Sequence, residues 1–80
     1  MSARPVKRSL TLRGHRTSVS LEDEFWRAFR DIAEGKSLAI NELAAQIDAE
    51  RDMETGLATA IRLYVLDHYK RRAAQTAPKA

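Results

Sequence analysis

The stretch Arg13–Phe29, "RGHRTSVSLEDEFWRAF", changes character half-way along. In its first part Thr17, Val19 and Leu21 alternate with Arg16, Ser18 and Ser20, the period of a half-buried strand. From Leu21 the apolar positions change step to Leu21, Phe25, Phe29 and Ile32, which is helical spacing. Glu22, Asp23 and Glu24 open the second part, where negative charge complements a helix macrodipole. A short strand running straight into a helix leaves both of its edges unpaired unless something lies beside it.

Upstream, "MSARPVK" reads as a flexible basic arm, and "RSLTL" is a short alternating run in which Leu10 and Leu12 share a face. Gly14 breaks the phase, since Leu10 and Leu12 are even-numbered whereas Thr17, Val19 and Leu21 are odd. One bulged strand, an intramolecular hairpin around "RGH", or an arm followed by one strand all fit; the last is the expectation. Downstream, a helix is expected from about Glu22 to Glu34, with Ser20 and Asp23 as a capping pair and Gly35 and Ser37 making the next turn. A second helix follows over about Ile40 to Glu50, and a third over about Leu57 to Arg72. The third carries Leu57, Ile61, Tyr64, Val65 and His68 on a stripe that Leu63 and Leu66 widen. The organisation expected is a flexible arm (1–12), a core (13–51), an additional helix (52–72) and a disordered tail (73–80).

Charge is unevenly divided. Residues 1–21 hold five basic groups and no acid, residues 22–69 hold five basic groups against eleven acids, and four more basic groups follow from Lys70. Basic ends around an acidic body suggest that the ends meet a polyanion. Eighty residues allow one small domain, and with no Cys there is neither a disulfide framework nor a thiolate metal site. His15 and His68 have no metal-ligand spacing around them, so no metal and no cofactor are expected. No apolar run reaches the roughly 20 residues of a membrane span, and "MSARPVKRSL" lacks a signal peptide's apolar centre, so a cytoplasmic protein is expected. No nucleophile with a base, phosphate-cradling loop or catalytic acid pair emerges, so no enzyme is expected.

A lone strand needs a partner, and the same strand of a second copy, related by a two-fold axis, would supply it. Strand, helix, turn and helix, carried by "RTSVSLEDEFWRAFRDIA" and "SLAINELAAQI", resemble the ribbon-helix-helix repressors of the Arc and MetJ type over roughly Arg16 to Ile47. With "AIRLYVLDHY" the chain looks more particularly like a short bacterial subgroup that appends a third helix. The fold implied is mainly α with one N-terminal strand, an obligate homodimer with an intersubunit antiparallel ribbon, plus the third helix. Its core residues would be Val19, Leu21, Phe25, Trp26, Phe29, Ile32, Leu43 and Ile47.

The resemblance also implies a site. The ribbon would lie in the DNA major groove, with Arg16, Ser18 and Ser20 reading base edges. Arg13 and His15 would assist, and Lys7 and Arg8 would contact phosphate. The start of the second helix, at Ile40 and Asn41, would clamp a backbone phosphate, although Ala39 stands where a Ser or Thr cap is usual. The function implied is a sequence-specific double-stranded DNA-binding regulator of transcription, a repressor occupying an operator, with higher-order assembly on DNA open. Two alternatives remain at this point: an antitoxin, with the third helix and tail masking a toxin, or a dimerisation and protein-interaction module without DNA binding.

Overall fold

Arg13 and Gly14 reverse the chain. Both have positive φ (52° and 85°), as the two central residues of a type I′ turn require, and that turn matches the twist of the strands it joins. In the computed structural model, which describes residues 4–76, strands β1 (Val6–Leu12) and β2 (His15–Leu21) form an antiparallel hairpin. The register runs from Leu12 opposite His15 to Val6 opposite Leu21. Helices α1 (Asp23–Gly35), α2 (Ile40–Glu50) and α3 (Leu57–Thr76) follow.

The helices cover one face of the hairpin. α2 packs along β1 and α3 along β2, with α1 against both helices. Leu10, Val19 and Leu21 enter the core from the sheet; Phe29, Ile32 and Ala33 come from α1, Leu43, Ala44 and Ile47 from α2, and Ile61 and Val65 from α3. Phe29, Leu21 and Ile61 are completely buried, and full burial of a side chain of this size stabilises by about 1.5–3 kcal/mol.

The mainly helical architecture with an N-terminal ribbon and a third helix is as expected, but the second strand of the ribbon comes from the same chain. Residues 6–12, expected to be a flexible arm, form β1 because the Arg13-Gly14 turn brings Leu10 and Leu12 over the helices. The unpaired strand that argued for an intersubunit ribbon is therefore paired already. The residues expected as a dimer core are likewise covered internally. Val19, Leu21, Phe29, Ile32, Leu43 and Ile47 are buried within one chain, and Phe25 and Trp26 pack half-buried against them. Leu10 of β1 and Ile61 and Val65 of α3 supply the apolar surface that a second copy was expected to bring. Thr17, expected on the packed face, shares that face's phase but is exposed near the hairpin tip.

Helix ends differ in detail. Ser20 does not cap α1: the N-cap is Glu22, without a side-chain cap bond, since Ser20 lies within β2 with its side chain on the outer face. At the other end Gly35 stays helical, and Ser37 takes the left-handed position (φ 57°). Ser37 N–H donates to Glu34 C=O (3.0 Å) and Leu38 N–H to Ala33 C=O (2.9 Å), which is a Schellman motif with Leu38 folded back on the core. α3 runs on to Thr76, four residues past the expected end, so residues 73–76 belong to a helix rather than to a tail. The expected arm at 1–3 and tail at 77–80 lie outside the described residues.

These backbone conformations set opposite signs for three substitutions. A Cβ at Gly14 would meet nothing within 4 Å, so Gly14→Ala should cost only the left-handed backbone penalty, about 1–2 kcal/mol. Ser37→Gly should stabilise by about 0.5–1 kcal/mol, because glycine is the natural residue of a left-handed helix terminus. Gly35→Ala, with open space around it and helical φ, should stabilise by about 0.5 kcal/mol. Urea midpoints of the three variants against wild type check the signs.

Candidate nucleic-acid interface

A two-residue hairpin places even-numbered residues of β1 opposite odd-numbered residues of β2, so the two strands present one apolar and one polar face. Arg8, Leu10, Leu12, Thr17, Val19 and Leu21 share the helix side with Val6 and His15. The outer side carries three cross-strand pairs, Lys7 with Ser20, Ser9 with Ser18, and Thr11 with Arg16. All six are exposed, none is acidic and none is apolar.

The expected readers Arg16, Ser18 and Ser20 thus stand together on β2's outer face, and Lys7 joins them from β1. Arg13 projects from the tip, one residue from Arg16. Arg8 does not belong to this group. It lies on the helix side, paired with Asp23 and stacked over the Trp26 ring at 5.3 Å, because β1's alternation turns it towards α1. Its expected role as a phosphate contact is replaced by an internal one: holding the hairpin's open end to the first turn of α1. His15 is also on the helix side, opposite Leu12, in a shallow groove shared with Ala45 and Leu57.

Ile40 and Asn41 sit at the start of α2 beside β1's outer edge. Asn41 Oδ1 accepts the Thr11 N–H at 3.0 Å, so the side chain considered for a phosphate closes a strand edge. Ala39, the N-cap, makes no side-chain cap bond, which leaves the first amides of α2 without a protein acceptor from that residue. Ser9 and Thr11 were missed as surface partners of the readers, although the phase change across Gly14 carried the signal.

Acidic groups near the ribbon are already engaged. Asp23 pairs with Arg8 and with Arg27 (3.1 Å). Glu22 and Arg62 of α3 make a two-pronged pair, Nε to Oε1 at 2.8 Å and Nη2 to Oε2 at 3.1 Å, and Nη2 also donates to the Ser20 carbonyl at 3.1 Å. The Arg62 hydrogen bonds, with the Glu22 backbone amide, hold the Glu22 carboxyl below the usual carboxylate range; desolvation opposes them weakly, and the guanidinium charge adds to the lowering. Among the described residues Lys7, Arg13 and Arg16 have no ion-pair partner. The hairpin's outer face and tip are therefore a basic, hydrogen-bonding surface with no acid on it. No group of residues here could hold a metal ion among those described, and no helix is long and apolar enough to cross a membrane.

A polar two-stranded ribbon backed by helices is what the family comparison returns: the ribbon-helix-helix domain matches residues 5–69. The chain belongs to the ribbon-helix-helix domain family. Members of that family typically bind DNA as dimers, as regulators or antitoxins. The match begins before β1, so the hairpin lies wholly inside the domain. No curated protein and no solved structure matches the chain.

The Glu22–Arg62 pair gives a pH dependence whose sign follows from the lowered carboxyl. Its contribution to stability is complete above the ordinary Glu value of about 4.3 and disappears as pH falls through the lowered folded value. Wild type should therefore lose stability on acidification through that window, and Glu22→Gln should lose less across it. Urea midpoints measured stepwise from neutral pH downward provide the check, and equal acid sensitivity of the two proteins would remove the pair from the account.

Proposed function

We propose that this ribbon-helix-helix protein is a sequence-specific double-stranded DNA-binding regulator of transcription, a bacterial repressor acting by occupying its operator in the cytoplasm. The observation that carries this reading is the outer face of the hairpin: six polar side chains, no acid, and Lys7, Arg13 and Arg16 free of ion pairs. The major groove, about 12 Å wide, admits a two-stranded ribbon. Arg16 can take guanine O6 and N7 together, while Ser18 and Ser20 can donate or accept. Lys7 and Arg13 add charge at opposite ends of the same face. The uncapped start of α2 at Ile40 and Asn41 is offered to a flanking phosphate, which would fix the register of the ribbon.

The protein would act as a homodimer, the form in which the family typically binds DNA, with one hairpin per subunit and half-sites about one helical turn apart. A repressor is favoured over an antitoxin by α3, a continuous helix whose Ile61 and Val65 lie in the core. A segment that waits for a toxin to order it would not be anchored in this way.

Arg16→Ala should cost about 1–3 kcal/mol of discrimination at one base pair while leaving weak, salt-sensitive binding in place. Fluorescence anisotropy on duplexes selected from a genomic-fragment pool, at low and near-physiological salt, reads both quantities. Equal, weak binding of wild type to every fragment would count against a reader of sequence.

A further inference from the structure

We infer that the DNA-reading ribbon is complete within one chain, β1 being its second reading strand and Lys7, Ser9 and Thr11 specificity-determining residues beside Arg16, Ser18 and Ser20. The inference rests on the DNA-binding reading above and concerns which strands enter the groove. A ribbon built from two copies of β2 would require the outer edge of β2 to be open to a partner strand. In a hairpin with a two-residue turn, the residues flanking the turn form the hydrogen-bonded pair, here Leu12 and His15. Alternate residues therefore point their backbone groups away from the hairpin: Lys7, Ser9 and Thr11 on one edge, Arg16, Ser18 and Ser20 on the other.

Each of these edges is engaged by a helix. On the β1 edge the Thr11 N–H is taken by Asn41 of α2. On the β2 edge the Ser20 carbonyl is taken by Arg62, which is itself fixed by Glu22. An incoming strand would have to displace this three-bond arrangement to reach the carbonyl it needs.

Width gives the same answer. Strands lie about 4.8 Å apart, so four of them span about 14 Å between outer backbones, whereas the major groove is about 12 Å wide and takes two. The hairpin alone has the right width, and adding a partner's strands would exceed it.

The spacing along the hairpin then assigns the residues. Successive outward side chains on one strand are about 6.8 Å apart, close to two base steps of about 3.4 Å each. The three tiers, Thr11 with Arg16 at the tip, Ser9 with Ser18 in the middle and Lys7 with Ser20 at the base, would follow roughly five base pairs. Arg16 and Lys7 stand on opposite strands at opposite ends, so each meets a different base. Lys7 can bond guanine acceptors, and Thr11 offers a hydroxyl together with a methyl that suits a thymine methyl.

Two measurements test this, one independent of DNA. The chain has no cysteine, and Ser9 and Ser18 are directly opposite, at the Cα separation of about 4.5 Å expected of a non-hydrogen-bonded pair, which a disulfide can span. Ser9→Cys with Ser18→Cys, oxidised by glutathione disulfide, should close within the chain, giving one single-chain product at every protein concentration. A disulfide-linked dimer as the main product would overturn the one-chain ribbon. On DNA, Lys7→Ala and Thr11→Ala are compared with Arg16→Ala by selection from a randomised duplex pool. Lys7→Ala should lose about 5- to 100-fold preference at a base position distinct from that of Arg16. Thr11→Ala should lose a few-fold preference at a base beside it, and Thr11→Ser should restore the part due to the hydroxyl. Uniform weakening on all sequences would make β1 a phosphate contact and overturn its reading role. If wild type selects no sequence at all, the functional reading and β1's role fall together, while the intrachain disulfide still reports the topology.

Discussion

Pairing of β1 with β2 across the Arg13-Gly14 turn is the constraint on which the rest of the structure depends. An isolated two-stranded hairpin is marginal in water and needs packing on one face to persist. Here the helices provide it, and in return the hairpin completes the core with Leu10, Val19 and Leu21. The turn also decides which side chains face out. Because it contains two residues, it brings the apolar positions of both strands to the helix side and leaves six polar ones for a partner. Slipping the register by one residue would turn Leu10 to solvent and Ser9 to the core, so the chemistry of the outer face and the stability of the core are fixed together.

Charge is sorted by the same arrangement. The acids at the strand–helix junction are consumed by internal cations: Glu22 by Arg62, Asp23 by Arg8 and Arg27. Exposed ion pairs contribute little to stability, but these pairs remove negative charge from beside the ribbon, where it would repel a polyanion. Arg62 has a third partner in the Ser20 carbonyl and so ties α3 to the end of β2. The third helix thus has a structural part: Ile61 and Val65 fill the core, and Arg62 holds the strand edge. Leu63 and Leu66 on its far side are exposed.

Much of this was legible in the residues. The period change after Leu21 located the strand–helix junction, and the helical spacing placed α2 from Ile40 to Glu50, as observed. Arg16, Ser18 and Ser20 were correctly placed on one face by alternation alone. The partner of β2 was misjudged. The shift from even to odd positions across Gly14 was noted as a break, yet a two-residue hairpin produces that shift, because its pairing sets even residues against odd ones. Arg-Gly is also a weaker turn signal than Asn-Gly, since arginine has no intrinsic liking for positive φ. Arg8 could not be assigned from the sequence, because its fate depends on which way β1 faces. Once β1 pairs with β2, Arg8 must point at Trp26 and Asp23 rather than at solvent.

The measurement closest to the central claim is an isotope-filtered NMR experiment on the labelled protein bound to an unlabelled selected duplex. The account predicts contacts between base protons and the side chains of both strands, the Thr11 methyl and Ser9 from β1 as well as Ser18 and Arg16 from β2. Contacts confined to the exposed face of α3 around Leu63 and Leu66, with the hairpin untouched, would contradict it.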